Sequence, residues 1–117
     1  MEVTWEDQQN INRFSRLHAT LSDVEEELHA KRAEKEELGD LSMELELMED
    51  EPVLYRIGEA YMTLSQSDAL AQLERDTERV SAELAGLEKA SEECEEGMNK
   101  LKVTLYAKFG KNINLER

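Results

Sequence analysis

The side chains able to do chemistry in this 117-residue chain are two histidines, one cysteine and a surplus of carboxylates, 28 acidic residues against 14 basic for a net charge of −14. A metal site needs ligands that converge on one point. His18 and His29 stand eleven positions apart on what reads as a single helix, roughly 16 Å along its axis, so they cannot share an ion. A thiol nucleophile needs a base beside it. Cys94 falls instead on an apolar seam with no histidine in register, the place of a small buried apolar side chain. Glutamates recur in pairs, but on convex helix faces with no pocket to raise a carboxyl pKa into the acid–base range. The sequence contains no glycine-rich phosphate loop and no calcium loop. It reads as a non-enzyme with no cofactor.

Composition points to helices. Apolar residues make up 39% and charged residues 36%, with one Trp, three Tyr, two Phe, one Pro and five Gly, a mixture typical of long helices and coiled coils. The length suits one domain at most. No apolar run approaches the roughly 18 residues of a membrane span, and the N-terminus lacks a signal-peptide layout. A lone cysteine fits a reducing compartment. Strong acidity works against nucleic acid or anionic lipid as partner.

Helical periodicity then places the elements. With Leu70 at heptad position a, the a positions are Leu70, Thr77, Leu84, Ser91, Met98 and Leu105, and the d positions Leu73, Val80, Leu87, Cys94, Leu101 and Lys108; nine of these twelve are apolar. This predicts a helix over about 66–109, capped by Ser65 with Asp68 three residues on and stopped by Gly110. An earlier helix is predicted over about 5–48, opened by Thr4 and Asp7, with Phe14, Leu21 and Leu28 at a and Leu17 and Val24 at d. Lys31 and Lys35 interrupt its seam, which resumes at Leu38, Leu41, Leu45 and Met48; the three-residue slip predicts looser packing over 29–37. Pro52 ends this helix. Helices of equal length with a short connection suggest an antiparallel pair.

Residues 53–64 differ in kind. Two short runs rich in Val, Ile, Tyr and Thr flank Gly58-Glu59, the pattern of a type II′ hairpin. That register pairs Val53 with Leu64, Tyr55 with Met62 and Ile57 with Ala60, and gives one wholly apolar face. A lone hairpin is marginal in water. With each helix using its stripe on the other, nothing in the chain is left to cover Tyr55, Ile57 and Met62, so assembly with further hairpins is expected. The remaining aromatics, Trp5, Phe14, Tyr106 and Phe109, gather near the chain ends with Ile11, Leu105, Ile113 and Leu115. Phe14 and Leu105 lie on the seam, whereas Phe109, Ile113 and Leu115 are expected to face solvent as a contact surface. Charge divides likewise. Residues 99–117 hold five basic side chains and one acidic, whereas residues 19–98 hold seven basic and 24 acidic.

Three stretches carry a family likeness: Val3-Thr4-Trp5-Glu6-Asp7-Gln8-Gln9-Asn10-Ile11-Asn12-Arg13-Phe14, Tyr55-Arg56-Ile57-Gly58-Glu59, and Leu105-Tyr106-Ala107-Lys108-Phe109-Gly110-Lys111-Asn112-Ile113-Asn114-Leu115-Glu116. With the helix–hairpin–helix order they resemble β-type prefoldin subunits across essentially the whole chain. Heptad periodicity would dictate neither terminal stretch. The resemblance implies a mainly α fold, one domain over 1–117 with a short tail at 110–117, whose central hairpin joins others in a β-barrel platform. It implies a heterohexamer in which this chain meets two α-type and three further β-type subunits. The hexamer would hold unfolded proteins such as actin and tubulin at its coiled-coil tips without ATP, and deliver them to the cytosolic chaperonin. Assembly maps to Val53, Tyr55, Ile57, Gly58, Ala60, Met62 and Leu64; client contact maps to Ile11, Phe14, Tyr106, Phe109, Ile113 and Leu115. The implied location is the cytoplasm, with room for a nuclear pool. The competing reading is a structural coiled-coil spacer or tether bound to a fixed partner, in which Gly58-Glu59 is an ordinary loop.

Overall fold

The structure, a computed structural model, describes residues 2–115; Met1, Glu116 and Arg117, and with them the end of the 110–117 tail and of the last motif, lie outside the described residues. Helix α1 spans Trp5–Leu47, strands β1 and β2 span Val53–Ile57 and Ala60–Leu64, helix α2 spans Gln66–Phe109, and a 3-10 turn covers Gly110–Asn112. Two long helices joined by a two-stranded antiparallel hairpin is the fold class that the sequence predicts.

Local chemistry sets the element ends. Before α1, the Thr4 N–H donates to Asp7 Oδ2 at 3.0 Å and the Asp7 N–H donates to Thr4 Oγ1 at 3.1 Å. Two of the N–H groups left over at a helix start are thereby satisfied reciprocally. The Lys108 ammonium also donates to Asp7, and it does most to hold the Asp7 carboxyl below the usual carboxylate range, ahead of the Thr4 N–H. Helix α2 opens with Ser65 Oγ accepting the Asp68 N–H at 3.1 Å. At the far end of α1, the Gln66 side-chain amide donates to the carbonyl oxygens of Leu45 and Met48, the latter at 2.9 Å. A side chain from the first residue of α2 thus adds donors to carbonyl groups at and just beyond the end of α1, where acceptors outnumber backbone donors.

The hairpin has the predicted register, Val53 opposite Leu64, Tyr55 opposite Met62 and Ile57 opposite Ala60. Gly58 turns it at φ +64°, while Glu59 keeps a negative φ, as a type II′ turn with glycine first requires.

The chain divides into two compact units, Met1–Leu28 with Gly86–Arg117 (the terminal unit) and His29–Ala85 (the hairpin unit). In the terminal unit, Phe14, Leu21, Cys94, Met98, Leu101, Leu105, Phe109 and Leu115 form one buried cluster, flanked by Ile11, Leu17 and Ile113. Cys94 sits here as a free, buried side chain. Gly97 lies where an added Cβ would come within 3.0 Å of Leu17 Cδ1, so a residue that weakens an isolated helix lets these two helices approach closely. The heptad count fails at the end of α2. Lys108, nominally at d, is exposed, and Phe109 takes the core position four residues after Leu105.

In the hairpin unit, Leu45, Tyr55, Ala69 and Leu73 are buried together, with Leu38, Leu41, Met48, Val53, Leu64 and Leu70 packed against them. Helix α1 runs unbroken through the seam interruption. Lys31 and Glu34 are its half-buried residues, and Lys35 points out. Over 29–37 the seam is polar. Lys31 Nζ lies 2.6 Å from Glu83 Oε2 and 3.2 Å from Glu34 Oε2, and Arg79 meets Glu83 at 3.1 Å and Glu34 at 3.7 Å. Lys31, then Arg79, hold the Glu83 carboxyl below its ordinary range. Such partly exposed pairs add little stability singly, but they match the half-buried charges of Lys31 and Glu34 where the apolar stripe lapses.

Two α2 positions separate core from surface. Leu105→Ala should cost about 2–5 kcal/mol, since Leu105 is 1% exposed and its truncation leaves a cavity. Val103→Ala, on the solvent side, should stay within about 0.5 kcal/mol. Urea unfolding followed by circular dichroism measures both.

Candidate functional site

Two surfaces carry the residues singled out in the sequence. On the hairpin, the face expected to be bare is split in two. Tyr55 is 4% exposed and Val53 and Leu64 are half-buried, while Ile57, Ala60 and Met62 face solvent. The expectation that nothing covers Tyr55 is therefore corrected. Its ring packs in the cluster of Leu45, Ala69 and Leu73, where alanine, completely buried itself, leaves room for an aromatic side chain. The Tyr55 hydroxyl donates to Asp76 Oδ2 at 2.8 Å, and Asp76 Oδ1 accepts from the Gln72 amide at 3.1 Å. Burial first, and the Asp76 carboxylate second, push the Tyr55 hydroxyl well above the ordinary tyrosine range.

The rest of the hairpin stays open. Leu54 and Tyr61, on the opposite face, are 68% and 62% exposed, and Met62 is 51% exposed. Strand β2 buries no residue, and only Leu64 is half-buried. The sheet has two strands, so each has an outer edge whose backbone groups find no ladder partner. Beside it lies an open cleft of about 570 Å³, lined by Leu38 and Leu41 of α1, Leu54, Ile57 and Tyr61 of the hairpin, and Arg79 of α2. The cleft was not legible in the sequence, because a hairpin's tilt against a helix is a tertiary property.

The terminal unit holds the second surface. Of its six singled-out residues, Phe14, Phe109 and Leu115 are buried, Ile11 and Ile113 half-buried, and Tyr106 exposed. That Phe109 and Leu115 face solvent is thus a second expectation the structure corrects. Gly110, at φ +57°, reverses the chain in the left-handed conformation that glycine accepts most readily. After the 3-10 turn, Ile113 is extended at φ −127° and ψ 141°. The Leu115 N–H then donates to the Tyr106 hydroxyl at 3.2 Å, and the Leu115 side chain enters the cluster of Phe14, Leu105 and Phe109. Ile11, Phe14, Ser15 and His18 of α1 line a groove of about 330 Å³ with Ile113, Asn114 and Leu115. The apolar side chains that do face out in this unit include Trp5, at 78% exposure, Val103 and Val3. Val103 was findable, since an f position points away from an a/d seam.

Among the described residues, no group of three His, Cys, Asp or Glu side chains is placed to hold a metal ion, and no helix is long and apolar enough to cross a membrane.

A family model described as prefoldin subunit matches residues 8–112. Prefoldin subunit 4 of Saccharomyces cerevisiae is 47% identical over 117 residues, covering 99% of this chain and 91% of that protein. Prefoldin subunit 4 of Homo sapiens is 36% identical over 118 residues, covering 99% and 88%. Among solved structures, the crystal structure of the prefoldin beta subunit from Thermococcus strain KS-1 superposes with a TM-score of 0.79 at 18% identity, over 91% of this chain and 94% of that one; at that identity the match speaks for the fold.

The Tyr55–Asp76 bond gives the hairpin an alkaline signature. Tyr55→Phe should cost about 1.5–3 kcal/mol, because the acceptor is charged. A tyrosine whose folded pKa is raised contributes stability that is complete below its unfolded pKa near 10 and is lost as pH rises toward the folded value. The gap in unfolding free energy between wild type and Tyr55→Phe should therefore be constant from pH 7 to 9 and shrink above pH 10. Urea titrations across that range measure it.

Proposed function

The chain belongs to the prefoldin subunit family, and from that premise we propose that it is one β-type subunit of a heterohexameric chaperone that captures non-native polypeptides and passes them to the cytosolic chaperonin. The observation that carries this reading is the half-covered hairpin. Strand β1 is anchored to its own helices through Tyr55, whereas β2 is exposed over residues 60–63 and touches the cluster only with Leu64, and Leu54, Tyr61 and Met62 lie open. Such a sheet is marginal alone, and hairpins of two α-type and three further β-type subunits complete it in a shared barrel. Val53, Tyr55 and Leu64 set the orientation of this hairpin, Gly58 its turn, and Ile57, Ala60 and Met62 meet neighbours.

The terminal unit supplies the contact with clients, actin and tubulin chains among them. Tyr106, Ile11 and Ile113 are accessible, and Phe14, Phe109 and Leu115 form the apolar floor behind them. Each buried aliphatic or aromatic side chain contributes about 1.5–3 kcal/mol before ordering costs. Several tips acting on one client raise its effective concentration and give avidity with fast local release. Holding of this kind uses no catalysis, nucleotide or cofactor, and operates in the cytoplasm.

Tyr61→Asp with Met62→Asp tests assembly. Both side chains are exposed within the subunit, so its helical signal should persist, while co-expression with the partner subunits should no longer yield a particle of six-chain mass. A full-mass hexamer from this variant would reject the hairpin as the joining surface, and wild-type chain that stays a dimer beside its partners would favour the spacer reading. Capture is tested with Ile11→Asp in the assembled hexamer, which should suppress aggregation of chemically unfolded actin at least about threefold less well, since a charge now stands beside Phe14 and Ile113 in the groove wall.

A further inference from the structure

We infer that the cleft beside the hairpin is a slot for one more strand, added along the outer edge of β1, and that Arg56 selects a strand of a different subunit that carries a carboxylate beside it. The inference rests on the assembly reading above and adds to it an edge and a class of partner. The register fixes which backbone groups are free. Ile57 and Ala60 flank a two-residue turn and so exchange both of their hydrogen bonds, and the alternation continues to Tyr55 with Met62. The N–H and C=O groups of Leu54 and Arg56 consequently point away from β2. Both residues line the cleft, as do Tyr55 and Ile57 from the other face of β1, so the cleft opens along that strand's edge.

Edge addition draws affinity from main-chain hydrogen bonds and specificity from the pockets that receive alternate side chains. Leu38 and Leu41 of α1 form the apolar wall of the cleft, which suits aliphatic side chains directed toward the helices. Most of the lining charges are already engaged, Glu34 by Lys31 and Arg79, and Asp76 by the Tyr55 hydroxyl and the Gln72 amide. Arg56, on the sheet, and Glu37, on α1, have no such side-chain partner among the described residues. Arg56 is exposed and stands where the side chains of an added strand would pass. Opposite charges side by side on a sheet favour pairing, and like charges oppose it. A second copy of this chain does not meet that demand. Its strands, Val53–Ile57 and Ala60–Leu64, contain no acidic residue, and Arg56 is their one cation. Two copies of a chain with net charge −14 also repel. The occupant that fits is an aliphatic strand with Asp or Glu on the Arg56 side, contributed by a different chain.

Hydrogen exchange reads the edge without any substitution. In the isolated chain the Leu54 and Arg56 amides should exchange faster than those of Tyr55 and Ile57, and in the hexamer assembled with the partner subunits they should slow at least about a hundredfold. Arg56→Glu sets carboxylate against carboxylate and should raise the concentration needed for half-assembly to six-chain mass about five- to thirtyfold, whereas Arg56→Lys should stay within about threefold of wild type. Arg56 is exposed, so the helical signal of both variants should match that of the wild type. Unchanged exchange at Leu54 and Arg56 in a full-mass hexamer overturns the slot while the assembly reading stands. Assembly of Arg56→Glu at the wild-type concentration, or equal losses in the Glu and Lys variants, overturns Arg56 as the selecting residue. A dimer of this chain alone with both amides protected overturns the choice of a different subunit. Failure of the wild-type chain to reach six-chain mass with its partners overturns the assembly reading itself.

Discussion

Each long helix of this chain has one apolar stripe, and a stripe can be covered only once. Leu38, Leu41 and Leu45 of α1 and Leu70 and Leu73 of α2 cover one another in the hairpin unit, which leaves little surface on which a twelve-residue hairpin (53–64) can lie. What shelter exists is taken chiefly by one ring, Tyr55, buried in one cluster with Ala69 and tied to Asp76, with Val53 and Leu64 packed against that cluster. Since a two-stranded sheet does not hold itself together in water, this anchoring decides its state: β1 is fixed to the helices through Tyr55 and Val53, and β2 through Leu64 at its end and its pairing with β1. The hairpin is oriented and incomplete at once. A surface of that kind suits docking to several neighbours better than a flexible loop would, because the ordering cost has been met within the subunit before contact.

Charge is arranged so that the same chain resists unwanted association. The acidic excess lies between residues 19 and 98, where like-charged helices repel one another. Inside that stretch the charges nearest the seam are matched: Lys31 and Arg79 share Glu34 and Glu83. A polar cluster at a helix interface contributes less than leucines would. It does fix which faces of the two helices meet, because a shifted register would strand a lysine against apolar neighbours.

What could be read from the sequence follows the range over which each feature is determined. The capping box at Thr4, the cap at Ser65 and the turn at Gly58 depend on residues within four positions of one another, and the seam on spacing alone, so periodicity and turn chemistry are enough. Tyr55 was legible as an inward-facing strand residue but not as a buried one; that outcome needs a small residue, Ala69, on an element fourteen positions later in the chain. Glu34 turning inward in place of Lys35 reflects how a three-residue slip is absorbed along a continuous helix. Leu115 depended on a chain reversal at Gly110, which a helix stop signal announces without saying where the tail goes next. Gly97, costly by local propensity, makes sense only beside Leu17.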